Sequence, residues 1–551
     1  MASEIKRSMQ NCVVEWVFSS RERYSDPFNE VELSAIFVDP DGEEIVVPAF
    51  WLGGNFWGIR YSSHKIGRHY FKTMCSDKSN SSLHEQEGIL EIIPYKGDNP
   101  LFKHGPLKVS RDRRFIEHID GTPFFWLGDT WWMGLTKRLS WNGFKTLTAD
   151  RVKKGFTLIQ IVAGLYPDMV PFDPRGASEA GFPWDENYNR INPAYFDAMD
   201  RRINWLVQNG LVPCIVGAWG YFIEFAGIET MKKHWRNLVA RYGAYPVVWC
   251  VAGEAVMPYY LSSSWDDKEK REEYVAKARA GWTMVARYLR SIDPYHHPVT
   301  IHPTDCAHNM VDDLSVIDID MLQTGHSDIH SFANTVNKVV ESINVSPRMP
   351  VVVGEVCYEG ILGASWENIQ RLMFWTSILS GASGYTYGAN GIWQVNTQTE
   401  PFGPSPHGQS WGNIPWDKAY RLPGSKQVCI GKRLLERYAW WRFEPHPEWV
   451  EPHWSREDYF QPYAAGIPRE VRVIYIPMPD WRGLLRVKGL EEGINYNAFY
   501  FDPREGKEYN IGKVAPDEKG DWKPPKPPII QDWVLLLERV FQSASQLPKT
   551  A

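Results

Sequence analysis

The chain has 551 residues, a formal net charge of −6 and 26 tryptophans. Its aromatic content of 14% excludes a disordered polymer, and no apolar run approaches the ~20 residues that cross a bilayer. The near balance of 60 basic against 66 acidic residues creates no field that would gather a nucleic-acid backbone.

This length calls for two to four domains. Seven cysteines are scattered without a C-x-x-C pair, a pattern of free thiols in a reducing compartment rather than of a disulfide framework. The stretch Met1 to Asn11 is polar and has no apolar signal core. The expected location is therefore cytoplasmic, or outside the cell if an export signal has been removed.

Residues 1–103 read as an antiparallel β-sandwich. Short alternating runs (Val13 to Phe18, Val31 to Phe37, Ile45 to Phe50) are separated by turn signals such as Asp41-Gly42 and Gly53-Gly54-Asn55. Residues 104–442 have another texture, with short apolar strands alternating with amphipathic helices. Eight strands are predicted: Phe124 to Leu127, Phe156 to Ala163, Leu211 to Val216, Val247 to Val251, Val299 to His302, Ile317 to Leu322, Pro350 to Val353 and Gly384 to Tyr387. One intervening helix opens at Asn192-Pro193, buries Phe196, Met199, Ile203 and Leu206, and stops at Gly210. Eight strand–helix units in this span predict a (β/α)8 barrel. The competing doubly wound sheet lacks a Gly-rich phosphate turn after its first strand. Residues 443–551 return to β texture, with Val471 to Ile476, Asn497 to Phe501 and Trp533 to Leu537 as strands. The fold class is thus α/β, a TIM barrel flanked by N- and C-terminal β-sandwiches.

Active sites of such barrels lie at the carboxyl ends of the strands. Strands four and seven are apolar, and both end in Gly-Glu, at Gly253-Glu254 and Gly354-Glu355. A carboxylate ending a buried strand is costly unless it is paired or used. A rim Arg or Lys beside each would be the structural explanation. Two such carboxylates are also what glycoside hydrolysis needs, one to protonate the leaving oxygen and one to attack or to activate water.

The pair resembles that of the clan A glycoside hydrolases, whose acid/base follows strand four and whose nucleophile follows strand seven. That clan usually has an Asn before the acid/base, where this chain has Gly253. The run Asp120-Gly121-Thr122-Pro123-Phe124-Phe125-Trp126-Leu127-Gly128-Asp129-Thr130-Trp131-Trp132 resembles the opening of the apiosidase-like glycoside hydrolases (glycoside hydrolase family 140). Glu15-Trp16, Asn29-Glu30-Val31 and Gly67-Arg68-His69-Tyr70 are similar to the sandwich that often precedes that barrel. Phe499 to Gly506 and Asp532 to Leu535 are similar to the family's C-terminal β-domain, which carries a collagen-binding label. The resemblance implies a retaining, exo-acting hydrolase of pentose-containing or furanoside plant glycans, with Glu254 as acid/base and Glu355 as nucleophile. It implies a carbohydrate substrate and no cofactor or metal.

Other residues fall at the predicted rim. Asp129, Trp131 and Trp132 end strand one and are candidates for sugar hydroxyls and the apolar C–H face of a ring; an N-cap and core tryptophans are the alternative. Gln160 lies within strand two, Trp219 follows strand three, and His302, Gln323 and His326 end strands five and six. Tyr358 could orient Glu355, Tyr387 lies on strand eight, and Trp393 falls where clan A enzymes place a pocket-floor tryptophan. Glu224 and Glu359 are rival carboxylates in loop-like runs, and His302, Asp305 and His308 match no metal-ligand spacing. Two long loops, Gly164 to Ile191 with Trp184 and Gln394 to Gly424 with Trp411 and Trp416, are expected to wall a pocket and favour exo action. A transglycosidase on the same site and a non-catalytic carbohydrate-binding barrel are the competing functions. The β-rich flanks are candidate surfaces for a homo-oligomer; neither a nucleic acid nor a membrane is an expected partner.

Overall fold

The computed structural model describes residues 5–478 and 483–540. Its centre is an eight-stranded parallel sheet of β1 (Trp126–Thr130), β2 (Leu158–Val162), β3 (Val212–Val216), β4 (Val248–Cys250), β5 (Val299–Thr300), β6 (Asp320–Gln323), β7 (Val351–Glu355) and β8 (Gly384–Tyr387). The strand order is β5-β4-β3-β2-β1-β8-β7-β6. The remaining seam is bridged by Asp318 N donating to Val299 O at 2.7 Å and Thr300 Oγ1 donating to Ile319 O at 2.9 Å. The sheet is thereby a nearly closed (β/α)8-type barrel. Nearly every strand residue is buried because the inner face fills the barrel and the outer face meets the helices.

Among the described residues, seven helices of eight or more residues surround it: α1 (Trp141–Lys154), α2 (Pro193–Gln208), α3 (Phe222–Tyr242), α4 (Lys268–Ile292), α5 (Phe332–Ser342), α6 (Glu367–Leu379) and α7 (Pro423–Leu435). Helix α2 begins after Asn192 with Pro193 in its first turn and buries Phe196, Met199, Ile203 and Leu206. One predicted unit differs. No long helix joins β5 to β6; two 3-10 turns, Ala307–Asn309 and Leu314–Val316, take its place. Pro303, Asp305, Asp312 and Asp313 in this short segment favour turns over a continuous helix.

The N-terminal region packs a five-stranded sheet against a three-stranded one. Ile5–Met9, in a stretch that reads as merely polar, forms an edge strand parallel to Glu87–Ile93. A buried ion cluster ties this sandwich to the barrel. Arg60 lies 2.5 Å from Asp200 of α2, Arg241 of α3 lies 2.8 Å from the same carboxylate, and Arg60 also donates to Arg241 O at 2.8 Å. Burial pushes the Asp200 carboxyl up, but the two guanidiniums hold it below the usual range.

At the other end, a six-stranded antiparallel sheet presents one face to the barrel. Tyr463, Val473, Tyr475, Phe499 and Leu536 join the barrel core, whereas Ile474, Tyr500 and Leu535 on the opposite face belong to a separate cluster. Tyr475 stacks on Trp375 of α6 at 5.9 Å, and Asp532 takes a two-pronged contact from Arg371 of α6 at 2.8 Å on each oxygen. All seven cysteines are free and six are buried.

Candidate active site

The site is built where β3, β4, β6 and β7 end. Beyond β4 the chain runs straight to Gly253, which bridges Trp219. A Cβ at residue 253 would lie 2.2 Å from the Trp219 ring. The indole therefore fills the space that an Asn side chain would need, which accounts for the departure from the clan pattern. Glu254 follows with φ +40°, a conformation rare outside glycine. This sharp turn throws its carboxyl into the pocket, where Oε2 accepts from Trp219 Nε1 at 3.1 Å and Oε1 from Gln323 Nε2 at 3.0 Å.

Glu355 arrives differently. The register of β6 against β7 slips so that Leu322 pairs with Val353 but Gln323 pairs with Glu355, leaving Gly354 as a bulge. Gln160 spans the barrel interior and donates to the Gly354 carbonyl at 2.9 Å. The bulge re-aims Glu355 beside Gln323. Its Oε1 lies 2.7 Å from His326 Nε2, and its Oε2 lies 3.0 Å from His302 Nε2. The second contact is close but off the direction of a well-formed hydrogen bond.

The two carboxyls are pushed in opposite directions. Burial and the negative charge of Glu355 raise Glu254. Burial also pushes Glu355 up, but His302 and His326 overcome it and hold that carboxyl well below the ordinary range. One group is poised to carry a proton and the other to stay ionised. Paired carboxyls driven apart in this way mark acid and base roles.

Around them lies a cavity of about 260 Å³, lined by Trp132, Trp219, Gln323, His326, Tyr358 and Trp393 from the strand ends. Trp132 Nε1 donates to Tyr358 Oη at 2.9 Å, and the Tyr358 ring packs against His326 and Trp393 at 4.8 and 5.7 Å. The structure thus brings eight expected residues to one wall: Glu254, Glu355, Trp132, Trp219, Gln323, His326, Tyr358 and Trp393. His302 sits beneath it, against Glu355 and edge-on to Trp132 at 5.3 Å.

Five expected site residues lie elsewhere. Asp129 is fully buried and points outward, 2.6 Å from Arg151 of α1. Trp131 donates to Asp129 at 2.6 Å and packs edge-on to Phe144. Gln160 is the brace inside the barrel. Trp184 donates to His234 at 3.2 Å and meets Phe28 of the N-terminal sandwich. Tyr387 donates to buried Glu359. Alternation explains Asp129 and Tyr387, paired neighbours on β1 and β8 whose side chains face the helix layer, since successive strand residues face opposite sides of the sheet. Of the rival carboxyls, Glu224 is exposed on α3 and Glu359 is held by Tyr387 and the Gly424 N–H, away from the cavity. His308 binds Asp320 at 2.8 Å and does not converge with His302.

Sequence reasoning missed several lining residues: Asp168 in the loop after β2, Met257, Tyr260 and Trp265 in the loop after β4, Ile361 after β7 and His407 after β8. Trp411, noted in its loop, also reaches the wall. The signal for Asp168 and His407 was the unusual loop length; Tyr260 and Trp265 had none beyond aromatic composition. These loops hold one another, since Arg175 donates to Phe402 O and Pro404 O at 3.0 Å each.

A strand-end pocket with two oppositely tuned carboxyls and aromatic walls, on this barrel, defines a glycoside hydrolase. The family profile described as "Apiosidase-like, catalytic domain" matches residues 110–442, and the chain belongs to that family. A second profile, a domain of unknown function (DUF5060), matches residues 9–76. No curated protein matches the sequence. Among solved structures, the chain is similar to one named simply a glycoside hydrolase, at 22% identity and TM-score 0.66, covering 80% of this chain and 98% of that one. A family 5 glycoside hydrolase from Bacteroides vulgatus gives the same identity and score over 80% and 95%. Another Bacteroides vulgatus structure aligns at 17% identity and TM-score 0.69 over 97% of this chain and 100% of its own. These likenesses establish the shared fold.

Proposed function

We propose that the protein is a retaining, exo-acting glycoside hydrolase that releases a pentose or furanoside residue from plant-derived oligosaccharides. Glu355 is the nucleophile and Glu254 the acid/base. The observation that carries this reading is the shared donor. Gln323 Nε2 lies 3.0 Å from a Glu254 oxygen and 3.5 Å from a Glu355 oxygen. Those two oxygens are therefore at most about 6.5 Å apart, the lower edge of the ~6.5–9.5 Å an inverting pair needs, and compatible with the ~5–5.5 Å of a retaining pair. A Glu355 oxygen attacks the anomeric carbon as Glu254 gives its proton to the departing oxygen. A glycosyl ester forms and the aglycone leaves. Glu254, now ionised, takes a proton from water, which displaces Glu355 and frees the sugar.

The sugar type rests on membership of the apiosidase-like family. Exo action rests on the cavity, whose 260 Å³ falls below the roughly 300–1,000 Å³ of common ligand pockets and suits one ring. The test is a panel of aryl pentosides and hexosides in both ring forms and anomers, with the first-formed product read by NMR. Retention is expected, and inversion would overturn the double displacement.

His326 supplies a second check. Glu355 must be ionised to attack, so its pKa sets the acid limb of kcat/KM. His326 favours the ionised form. In His326→Ala that pKa rises, and the acid limb should move to higher pH. An unmoved limb would separate His326 from the nucleophile.

A further inference from the structure

Among the described residues that line the cavity, Asp168 is the one carboxyl that the double displacement does not use. It lies in the loop after β2 at φ +57° and is 8% exposed. Trp411 Nε1 reaches its Oδ1 at a long 3.4 Å, and the Tyr260 hydroxyl lies beside it, 3.3 Å from the Asp168 backbone nitrogen. No lysine or arginine among the described residues forms an ion pair with it, and none lines the cavity. A structural Asp in a loop ordinarily caps a turn by accepting backbone N–H groups. The Asp168 side chain accepts none among the described residues. A carboxyl held in this way is costly unless a ligand completes it.

We propose that Asp168 is a specificity-determining residue of this pocket, binding adjacent hydroxyls of a neutral sugar and turning away anionic ones. The inference rests on the glycosidase reading and deepens it. A carboxylate can take two hydroxyl donors at once, in short charge-assisted bonds. Tyr260, Trp265 and Trp411 beside it offer aromatic surface to the apolar face of a ring. His407 stacks on Tyr260 at 4.9 Å and stiffens that wall. A uronate or sulfated sugar would instead bring its negative charge beside ionised Glu355 and the Asp168 carboxylate, with no lining Lys or Arg to receive it. Burial, and after it the charge of Glu254, push the Asp168 carboxyl up to about 7, so the carboxylate that takes two hydroxyls is the form present above that pH.

The test is ligand-observed NMR titration of the full chain at about pH 8, above the Asp168 midpoint, with neutral pentoses and hexoses and with glucuronate and galacturonate. Asp168→Asn and Asp168→Gly are the variants, because both residues tolerate positive φ. Wild type should bind at least one neutral sugar, and both variants should bind it ~10–100-fold more weakly, the value of charge-assisted hydrogen bonds. Equal binding by wild type and both folded variants would overturn the role of Asp168 and leave the glycosidase reading intact. Uronates binding as tightly as neutral sugars would overturn the charge selectivity. Failure of wild type to bind any sugar of the panel would count against both.

Discussion

Glu355→Gln is expected to abolish turnover, lowering kcat by on the order of 10⁴-fold or more, as removal of a nucleophile does. The substitution keeps the shape of the side chain and the approach of His326, so the loss reports the missing carboxylate. Glu254→Gln behaves differently. It should lose ~10²–10⁴-fold on substrates with poor leaving groups, the usual contribution of a general acid, and far less on activated aryl glycosides that depart without a proton. The contrast follows from the opposite tuning of the pair, Glu254 pushed up by burial and by Glu355, and Glu355 held down by His302 and His326. Azide sharpens the assignment. Added to Glu355→Ala it should yield a glycosyl azide of inverted configuration, and added to Glu254→Ala one of retained configuration. Full activity in Glu355→Ala would sink the two-carboxylate reading.

The placement of Glu254 and Glu355 in one pocket was legible because a parallel barrel converts sequence position into spatial position. A polar residue immediately after an apolar strand lands at one end of the barrel, whatever the loops do. Trp219, Gln323 and His326 were readable for the same reason. Asp129 sits at an equally suggestive place, yet it lies within β1 and not beyond its end, and strand alternation sends its side chain into the helix layer. Strand one was expected over Phe124 to Leu127, but the structure places β1 at Trp126–Thr130. Asp168, Tyr260 and His407 meet only because three loops fold against one another, with Arg175 pinning the β8 loop. Such convergence leaves no periodic trace in the chain. The excess of tryptophan divides along these lines. Trp126, Trp249 and Trp533 are fully buried core, Trp132, Trp219, Trp265, Trp393 and Trp411 line the cavity, and Trp184 braces the N-terminal sandwich.

Arg151→Met should destabilise the protein by roughly 3–5 kcal/mol without altering substrate preference, because it strands Asp129 as an unpaired buried charge. Both partners are completely buried at 2.6 Å. Asp129 also accepts from Trp131 Nε1 at 2.6 Å and from Thr130 N at 2.9 Å, while Arg151 reaches Tyr420 O at 3.0 Å and lies over the Phe156 ring at 5.1 Å. The pair therefore joins β1, α1 and the segment that returns from β8, on the side of the barrel where first and last strands meet. For a domain of this size the loss corresponds to a melting temperature lower by on the order of 10 °C. Replacing both members, Arg151→Met with Asp129→Leu, removes the stranded charge and should recover much of the loss, since apolar pairs of similar volume often match a buried ion pair. The same cycle decides what Asp129 does. A structural strut shows coupling in melting temperature and an unchanged KM for the surviving enzyme. A sugar contact would raise KM in Asp129→Asn while leaving melting untouched, and that result would return Asp129 to the binding site.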